Sequence, residues 1–209
     1  MIPEHIHPRR RDRSRGEDWI RAFLHRAGAG VFVSVRDGRP SPVPLNFVYD
    51  EVREVVYLHT GKRGQSRSNL EAGGTPAGDP MPDQAAESAG TAGEPDPGPD
   101  AGAPVALCLY EMGRFLPADE ALEFGVEYAS VVVFGRGKVV EDPAEAEAAL
   151  TLLMEKYAPH LQAGQDYRPV TAEEVRRTTV MRLDIEGWSG KEKKEAPDFP
   201  GAYRLEEVR

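Results

Sequence analysis

Apolar residues recur along the chain in short runs that predict six β-strands. The runs are rich in β-branched and aromatic residues and occupy residues 31–35, 43–49, 55–60, 105–110, 126–140 and 179–186. Asp37-Gly38 separates the first two runs and is a strong signal for a two-residue hairpin turn. Prolines at positions 40, 42 and 44 place the second strand at a sheet edge, because proline donates no backbone hydrogen bond.

Helical spacing of apolar residues predicts three helices. The first covers about residues 17–27, with Ser14 and Glu17 as a capping box. The second begins at Asp142-Pro143 and ends before Pro159. Its predicted buried face consists of Ala146, Leu150, Leu153, Met154 and Tyr157. A shorter third helix is capped by Thr171 and Glu174.

The order of these elements indicates a small barrel. Six strands joined mostly by short turns, with helices at the ends, do not fit a doubly wound α/β sheet, which needs helices between its strands. Gly135 and Gly137 in the long strand indicate a bend or bulge of the kind that closes small barrels. We therefore expect a mainly β protein with flanking helices.

The net charge of −9 is unevenly distributed. Residues 72–104 contain six acidic residues, no lysine or arginine, seven prolines and seven glycines, so we expect a disordered surface insertion there. Five arginines between Arg9 and Arg15 make residues 1–16 a basic N-terminal arm. A solvated tail is the expected state of the arm, and an anion-binding or nucleic-acid-binding arm is the alternative. Residues 17–209 are expected to form a single domain, interrupted at about 72–104.

Missing features exclude several classes of protein. No apolar run reaches the roughly 18–20 residues of a membrane span, and the charged N-terminus has no signal-peptide pattern, so we expect a cytoplasmic protein with no membrane partner. Cys108 is the only cysteine, which excludes disulfide scaffolds and zinc ribbons. The P-loop, Rossmann, zinc-peptidase and α/β-hydrolase motifs are absent, and the histidines have no metal-site spacing. Nucleic acid is not an expected partner.

Candidate chemistry concentrates in residues 55–70, where a strand ends at His59-Thr60 and leads into a basic turn. The turn carries Gly61, Lys62, Arg63, Gly64, Ser66, Arg67 and Ser68. Basic side chains, hydroxyls and free backbone N–H groups are the donors that a phosphate monoester needs. The alternative is an ordinary exposed loop, with His59 as a capped, hydrogen-bonded histidine.

Six segments in this order resemble the FMN-binding split barrels related to pyridoxamine 5'-phosphate oxidase. Within that group they are most similar to the Nim-type 5-nitroimidazole resistance proteins, which have a histidine at the position of His59. The segments are Trp19-Ile20, 42–50, 55–64, 110–117, 127–140 and 185–192. The resemblance implies a six-stranded split β-barrel of the FMN-binding type.

The resemblance also implies a homodimer with FMN at the interface. The flavin ring would lie along Pro44, Leu45, Asn46 and Phe47, with His59 and Thr60 at the ring and ribityl edge. The phosphate would be held by Lys62, Ser66 and Arg67; a lysine is frequent at the position of Ser66, so Lys62 or Arg67 would have to supply the charge. Ser130 would contribute a contact from the long strand, and Trp188 and Lys191 would lie close to the partner subunit's cofactor.

The implied function is an FMN-dependent oxidoreductase of the nitroimidazole-reductase or pyridoxamine-phosphate-oxidase-like class. It would act on a small-molecule substrate, with His59 as the catalytic proton donor. A flavin or haem binding protein without catalysis is the alternative, since both need the same pocket. A third reading is an interaction protein that uses the barrel as a dimer scaffold and binds no cofactor.

Overall fold

The computed structural model describes residues 9–73 and 102–208. Most of the expected insertion and the first half of the expected arm therefore lie outside the described residues. The strands are β1 Ser14–Arg15, β2 Gly30–Arg36, β3 Arg39–Leu45, β4 Phe47–Asp50, β5 Val55–Gly61, β6 Ala103–Leu116, β7 Gly125–Val139 and β8 Thr178–Lys193. The α-helices are α1 Glu17–Arg26, α2 Gln65–Glu71, α3 Pro143–Tyr157 and α4 Ala172–Arg177.

All strands join one antiparallel sheet in the order β3-β2-β6-β7-β8-β5-β4, with β1 added to β8. The prediction of a mainly β fold with flanking helices is confirmed, and the open sheet is that of a split barrel. The strand count differs from the predicted six for two reasons. The run at 43–49 divides at Asn46 into β3 and β4, which lie at opposite edges of the sheet, and Ser14–Arg15 adds a short strand.

The β2–β3 hairpin forms as the sequence predicts. Asp37 and Gly38 have φ angles of 49° and 70°, the positive values that a tight two-residue turn between antiparallel strands requires. The proline-containing strand β3 lies at the sheet edge, also as predicted.

Apolar clusters lie on both faces of the sheet. The barrel core contains the α1 residues Phe23 and Leu24 and, from β5, Val56 and Leu58. A second cluster, here called the α3 layer, lies between the sheet and α3; its members are Val48, Val55, Tyr57, Ala146, Ala149, Leu153 and Val180. Successive β5 side chains thus alternate between the two faces, and this alternation decides where the candidate site residues point.

Two of the three helix caps are as predicted. Asp142 accepts a hydrogen bond from the Ala144 backbone N–H at 3.0 Å and starts α3. Thr171 and Glu174 form a complete capping box at α4. The predicted Ser14–Glu17 box is wrong: α1 begins after Gly16 without a side-chain cap, because Ser14 pairs with Lys191 in the sheet.

A buried ion pair attaches the C-terminal segment to the sheet. Glu127 on β7 receives hydrogen bonds from Arg114 at 2.7 and 2.9 Å and from the Glu195 backbone N–H at 2.9 Å. The Arg114 guanidinium also donates to the backbone carbonyls of Ala196 and Pro197. The hydrogen bonds from Arg114 lower the pKa of Glu127 to about 2.

Replacing Glu127 by glutamine is expected to destabilise the protein at neutral pH by about 2 kcal/mol. Because the folded-state pKa of Glu127 is lowered, its contribution is present above the pKa of the unfolded chain and is lost as the pH falls from about 5 to about 2. Urea denaturation at about pH 7 and at about pH 3 should therefore show a smaller gap between wild type and variant in acid. The exposed Glu123 is a matched Glu→Gln control. A gap independent of pH would contradict this account of the ion pair.

Candidate functional site

Two of the predicted segments meet where β4 and β5 pair. Phe47 is the first paired residue of β4 and lies opposite Leu58. The residue before Phe47 is Asn46, where the chain crosses from β3 to β4. The residue after Leu58 is His59. Pro44 and Asn46 are exposed there. The structure therefore places the segment 44–47 beside the end of β5.

His59 lies on the face of the sheet that α3 covers. The residue is exposed, and its side chain makes no hydrogen bond or ion pair within residues 9–73 and 102–208. Its side chain opens onto a cleft of about 390 Å³ between α3, α4 and the segment before α4. The other residues lining the cleft are Leu150, Leu153, Met154, Tyr167, Arg168, Val170, Glu174 and Thr178. An exposed histidine without a partner is free to exchange protons with a bound molecule.

Thr60 points to the opposite face and faces the basic turn. It pairs with Thr179, whose hydroxyl lies 3.5 Å from the Arg67 guanidinium. Arg67 is further fixed by Glu71, whose carboxylate accepts its Nε–H at 2.7 Å. Gly64 permits the tight turn before α2, since a Cβ there would lie 2.7 Å from the Thr60 hydroxyl oxygen. The fold thus places Thr60 and Arg67 close together on one face of the sheet.

The other two members of the predicted phosphate group differ in access. Lys62 is exposed, whereas Ser66 is buried at 3% exposure. Residues 60–68 contain three cations and no carboxylate, and Glu71 neutralises only one of the three. Hydroxyl, ammonium and guanidinium groups in this arrangement suit a phosphate monoester, which carries close to two negative charges at neutral pH.

Phe47 belongs to the core, which corrects its predicted role as a contact of the flavin ring. Its side chain is completely buried, and its backbone N–H donates to the Tyr157 hydroxyl at 3.0 Å. The same hydroxyl lies 2.7 Å from the Gly28 carbonyl oxygen and 2.9 Å from that of Phe47. Neither the ring nor the N–H of Phe47 is available to a ligand.

Tyr157 and its neighbour Lys156 were missed as site residues by sequence reasoning. Tyr157 was predicted to be an apolar residue of the buried face, yet the residue is 38% exposed. Lys156 donates to the Leu24 carbonyl at 3.2 Å and its ammonium lies 3.7 Å from the Phe47 ring centroid. Burial lowers the pKa of Lys156 to about 8. The sequence signal for this role is the position of Tyr157 at the end of an amphipathic helix, where a tyrosine hydroxyl needs a polar partner. The signal is weak because it does not say which group the hydroxyl will contact.

Ser130 and Lys191 pair at a different level of the sheet from His59. Ser130 pairs with Lys191, whereas His59 pairs with Val180 on the same strand β8. Positions 180 and 191 are eleven residues apart, which is about 36 Å along a straight strand. Trp188 packs against its own chain: its ring lies 6.2 Å from that of Tyr49, and the Arg21 guanidinium stacks over it at 4.9 Å.

Comparison with known proteins supports the assignment of the fold. Residues 97–192 match the sequence model of the family described as pyridoxamine 5'-phosphate oxidase. A search of curated protein sequences finds no match. The match covers 96 of the 209 residues, and the chain has a split-barrel fold. The resemblance noted from the sequence is thereby confirmed.

Three solved split barrels show the extent of the similarity. The flavocytochrome Anf3 from Azotobacter vinelandii has a TM-score of 0.67 at 19% identity, covering 92% of this chain and 75% of its own. An FAD and haem binding protein from Mycobacterium smegmatis has a TM-score of 0.64 at 19% identity, covering 88% and 74%. A candidate 5-nitroimidazole antibiotic resistance protein from Bacteroides thetaiotaomicron VPI-5482 has a TM-score of 0.55 at 18% identity, covering 84% and 83%. At these identities the likeness is one of fold.

Other kinds of site receive no support in the described part of this split barrel. Among residues 9–73 and 102–208, no group of three or more histidine, cysteine, aspartate or glutamate side chains is placed to hold a metal ion. No helix in those ranges is long and apolar enough to cross a membrane. The strand end around His59 and Thr60 is the candidate site because the segment 44–47, His59 and the basic turn meet there.

Proposed function

We propose that this split barrel binds FMN at the end of β5 and acts as an FMN-dependent oxidoreductase. The observation that carries the proposal is the convergence of three features at one strand end. These are the exposed residues Pro44 and Asn46, the His59 side chain without a partner in the described residues, and the basic turn with Arg67 next to Thr60. The flavocytochrome and the FAD and haem binding protein that share the fold bind flavin or haem by their own descriptions, which supports a flavin here.

The phosphate of FMN would bind at the basic turn. Arg67 is the better candidate for the main contact, because Glu71 and Thr179 already hold its side chain in place. Lys62 is exposed and would add charge, and Thr60 would donate its hydroxyl. Ser66 is buried, so its contribution would come from the first turn of α2 rather than from an exposed side chain. A monoester group carries nearly two negative charges and could be held by Lys62 and Arg67 together.

The ring of the flavin would lie along Pro44, Leu45 and Asn46, next to His59. Phe47 is excluded because the Tyr157 hydroxyl occupies its backbone N–H. Tyr157 and Lys156 then act as supports that hold the crossing from β3 to β4 in position. Leu45 is half-buried and would offer an apolar contact to one face of the ring.

A homodimer would complete the site. Within one chain, Ser130 and Lys191 lie eleven positions along β8 from the residue that pairs with His59, so we expect a second copy to supply them. The sheet surface around Ser130 is suited to this contact. Tyr110, which pairs with Ser130, is 60% exposed, and Met112 is 43% exposed. Trp188, packed on Tyr49 and Arg21, would act chiefly as a core residue.

His59 would serve as the proton donor. Bound FMN supplies transfer of one or two electrons at its ring system. Reduction of an organic group by electron pairs also consumes protons, and a ring nitrogen of His59 can deliver one from the α3 side of the sheet. Water exchange would return the proton, because the side chain is exposed.

Arg67→Ala is expected to weaken FMN binding by about 10- to 100-fold, the loss of one charged hydrogen-bonding partner of the phosphate. Arg63→Ala is the matched control, since Arg63 is exposed and makes no side-chain hydrogen bond or ion pair in the described residues. FMN titration of the apoprotein, followed by absorbance, measures both. Melting temperatures of the variants show whether loss of the Glu71 contact unfolds the turn. Equal affinities for the Arg67 and Arg63 variants would contradict the assigned phosphate site.

A further inference from the structure

The cleft beside His59 has walls from two helices and a floor from the sheet. Helix α3 contributes Leu150, Leu153 and Met154, and the segment before α4 contributes Tyr167 and Val170. His59 and Thr178 lie at the strand ends beneath them. The lining is predominantly apolar, with a titratable side chain at one end. This composition is typical of small-molecule pockets.

The charges at the cleft cancel. Arg168 and Glu174 are the only two residues of the lining that carry a permanent charge, and they form an ion pair with an N–O distance of 2.8 Å. Their side chains are 64% and 49% exposed, so the pair belongs to the rim and remains in water. A charged ligand would lose its hydration in the cleft without gaining an unpaired partner.

An exposed apolar surface continues from the cleft along the end of α3. Met154, which lines the cleft, is 37% exposed, and Tyr157, one turn further, is 38% exposed. The sequence pattern predicts both residues to be buried, and the described part of the chain does not cover them. Apolar side chains left open beside a concave pocket mark a surface that a ligand covers.

We infer that this cleft is the substrate pocket and that it takes an uncharged, mainly apolar molecule of about one ring in size. The inference rests on the proposed function, which places the flavin ring beside His59. The volume of about 390 Å³ lies near the lower end of the range for small-molecule pockets and limits the ligand to one ring with short substituents. His59 lies between this ligand and the site proposed for the flavin.

The test compares ligand and pocket variants in the full chain. Ligand-observed NMR gives dissociation constants for acetophenone, which is flat and uncharged, and for 4-acetylbenzoate, which adds a carboxylate to the same ring. Met154→Trp fills the cleft, and Leu122→Trp is the control, because Leu122 is an exposed apolar residue that has no part in the proposed sites. FMN content is measured on the same samples.

Wild type is expected to bind acetophenone at least about tenfold more tightly than 4-acetylbenzoate. Met154→Trp should weaken acetophenone binding by at least about tenfold and keep its FMN, while Leu122→Trp should change neither. Unchanged acetophenone binding in Met154→Trp, or equal binding of the two ligands, would overturn the inference. Loss of FMN from Met154→Trp would overturn it as well, since the cleft would then hold the cofactor.

The two proposals fail separately. Acetophenone binding needs no flavin to be observed. A wild-type protein that takes up no FMN and still shows the expected ligand pattern overturns the proposed function alone, and supports the ligand class of the cleft. A protein that binds FMN but not acetophenone overturns only the inference about the cleft.

Discussion

His59→Ala is expected to slow substrate reduction, per bound flavin, by about 10²- to 10⁴-fold, the usual effect of losing a general acid. The fold should be unaffected, because the side chain is exposed and has no hydrogen-bond or ion-pair partner within residues 9–73 and 102–208. FMN should also be retained, since the phosphate group would bind at the turn on the other face of the sheet. Both the large effect on rate and the small effect on stability follow from the exposed position of His59 beside the proposed flavin site.

The measurement is bleaching of the bound flavin by a nicotinamide donor, followed by reoxidation with a 5-nitroimidazole. Flavin content and melting temperature are determined on the same preparation. His25→Ala is a matched control: His25 is also partly exposed, but it lies on α1 and contacts Glu51 at 3.1 Å. An unchanged rate at full flavin occupancy would remove His59 from the mechanism and favour a flavin carrier.

Gly135→Ala is expected to destabilise the protein by about 3 kcal/mol or more, or to prevent folding. Gly135 lies in the central strand β7 at the point where its register with β8 shifts. A Cβ at this position would lie 1.9 Å from the backbone oxygen of Asp184. Because that oxygen belongs to the neighbouring strand, relief requires the two central strands to separate. The bend that the sequence predicts near Gly135 therefore depends on the missing side chain.

Urea denaturation of Gly135→Ala and Gly28→Ala tests this effect. Gly28 is the control, since a Cβ there would meet no atom within 4 Å. We expect the Gly28 variant to stay within about 1 kcal/mol of wild type. Similar stabilities for the two variants would show that the strands can shift at Gly135 without cost.

Local signals were sufficient for the turns and the later helices. Asp37-Gly38, Asp142-Pro143 and the pair Thr171/Glu174 each act within a few residues, and each feature is found where the sequence places it. Long-range pairing was not predictable. Ser14 looks like a helix cap until Lys191, far along the chain, takes it into the sheet. The break at Asn46 likewise exists because the chain crosses between the two edges of the sheet.

The candidate site was predicted in part. The neighbourhood of His59, Thr60 and Arg67 follows from the strand and the turn that come after it. Their division between two faces could have been read from the alternation of apolar residues in 55–60, with Val56 and Leu58 on one face and Tyr57 on the other. The role of Tyr157 depends on where α3 packs, which no local pattern specifies.

The absorbance spectrum of the purified protein tests the central claim most directly. The account predicts a yellow protein with flavin absorbance bands, whose chromophore after denaturation is FMN, at close to one equivalent per chain. Apoprotein prepared by removing the chromophore should take FMN up again. A colourless protein that binds no added FMN would contradict the account.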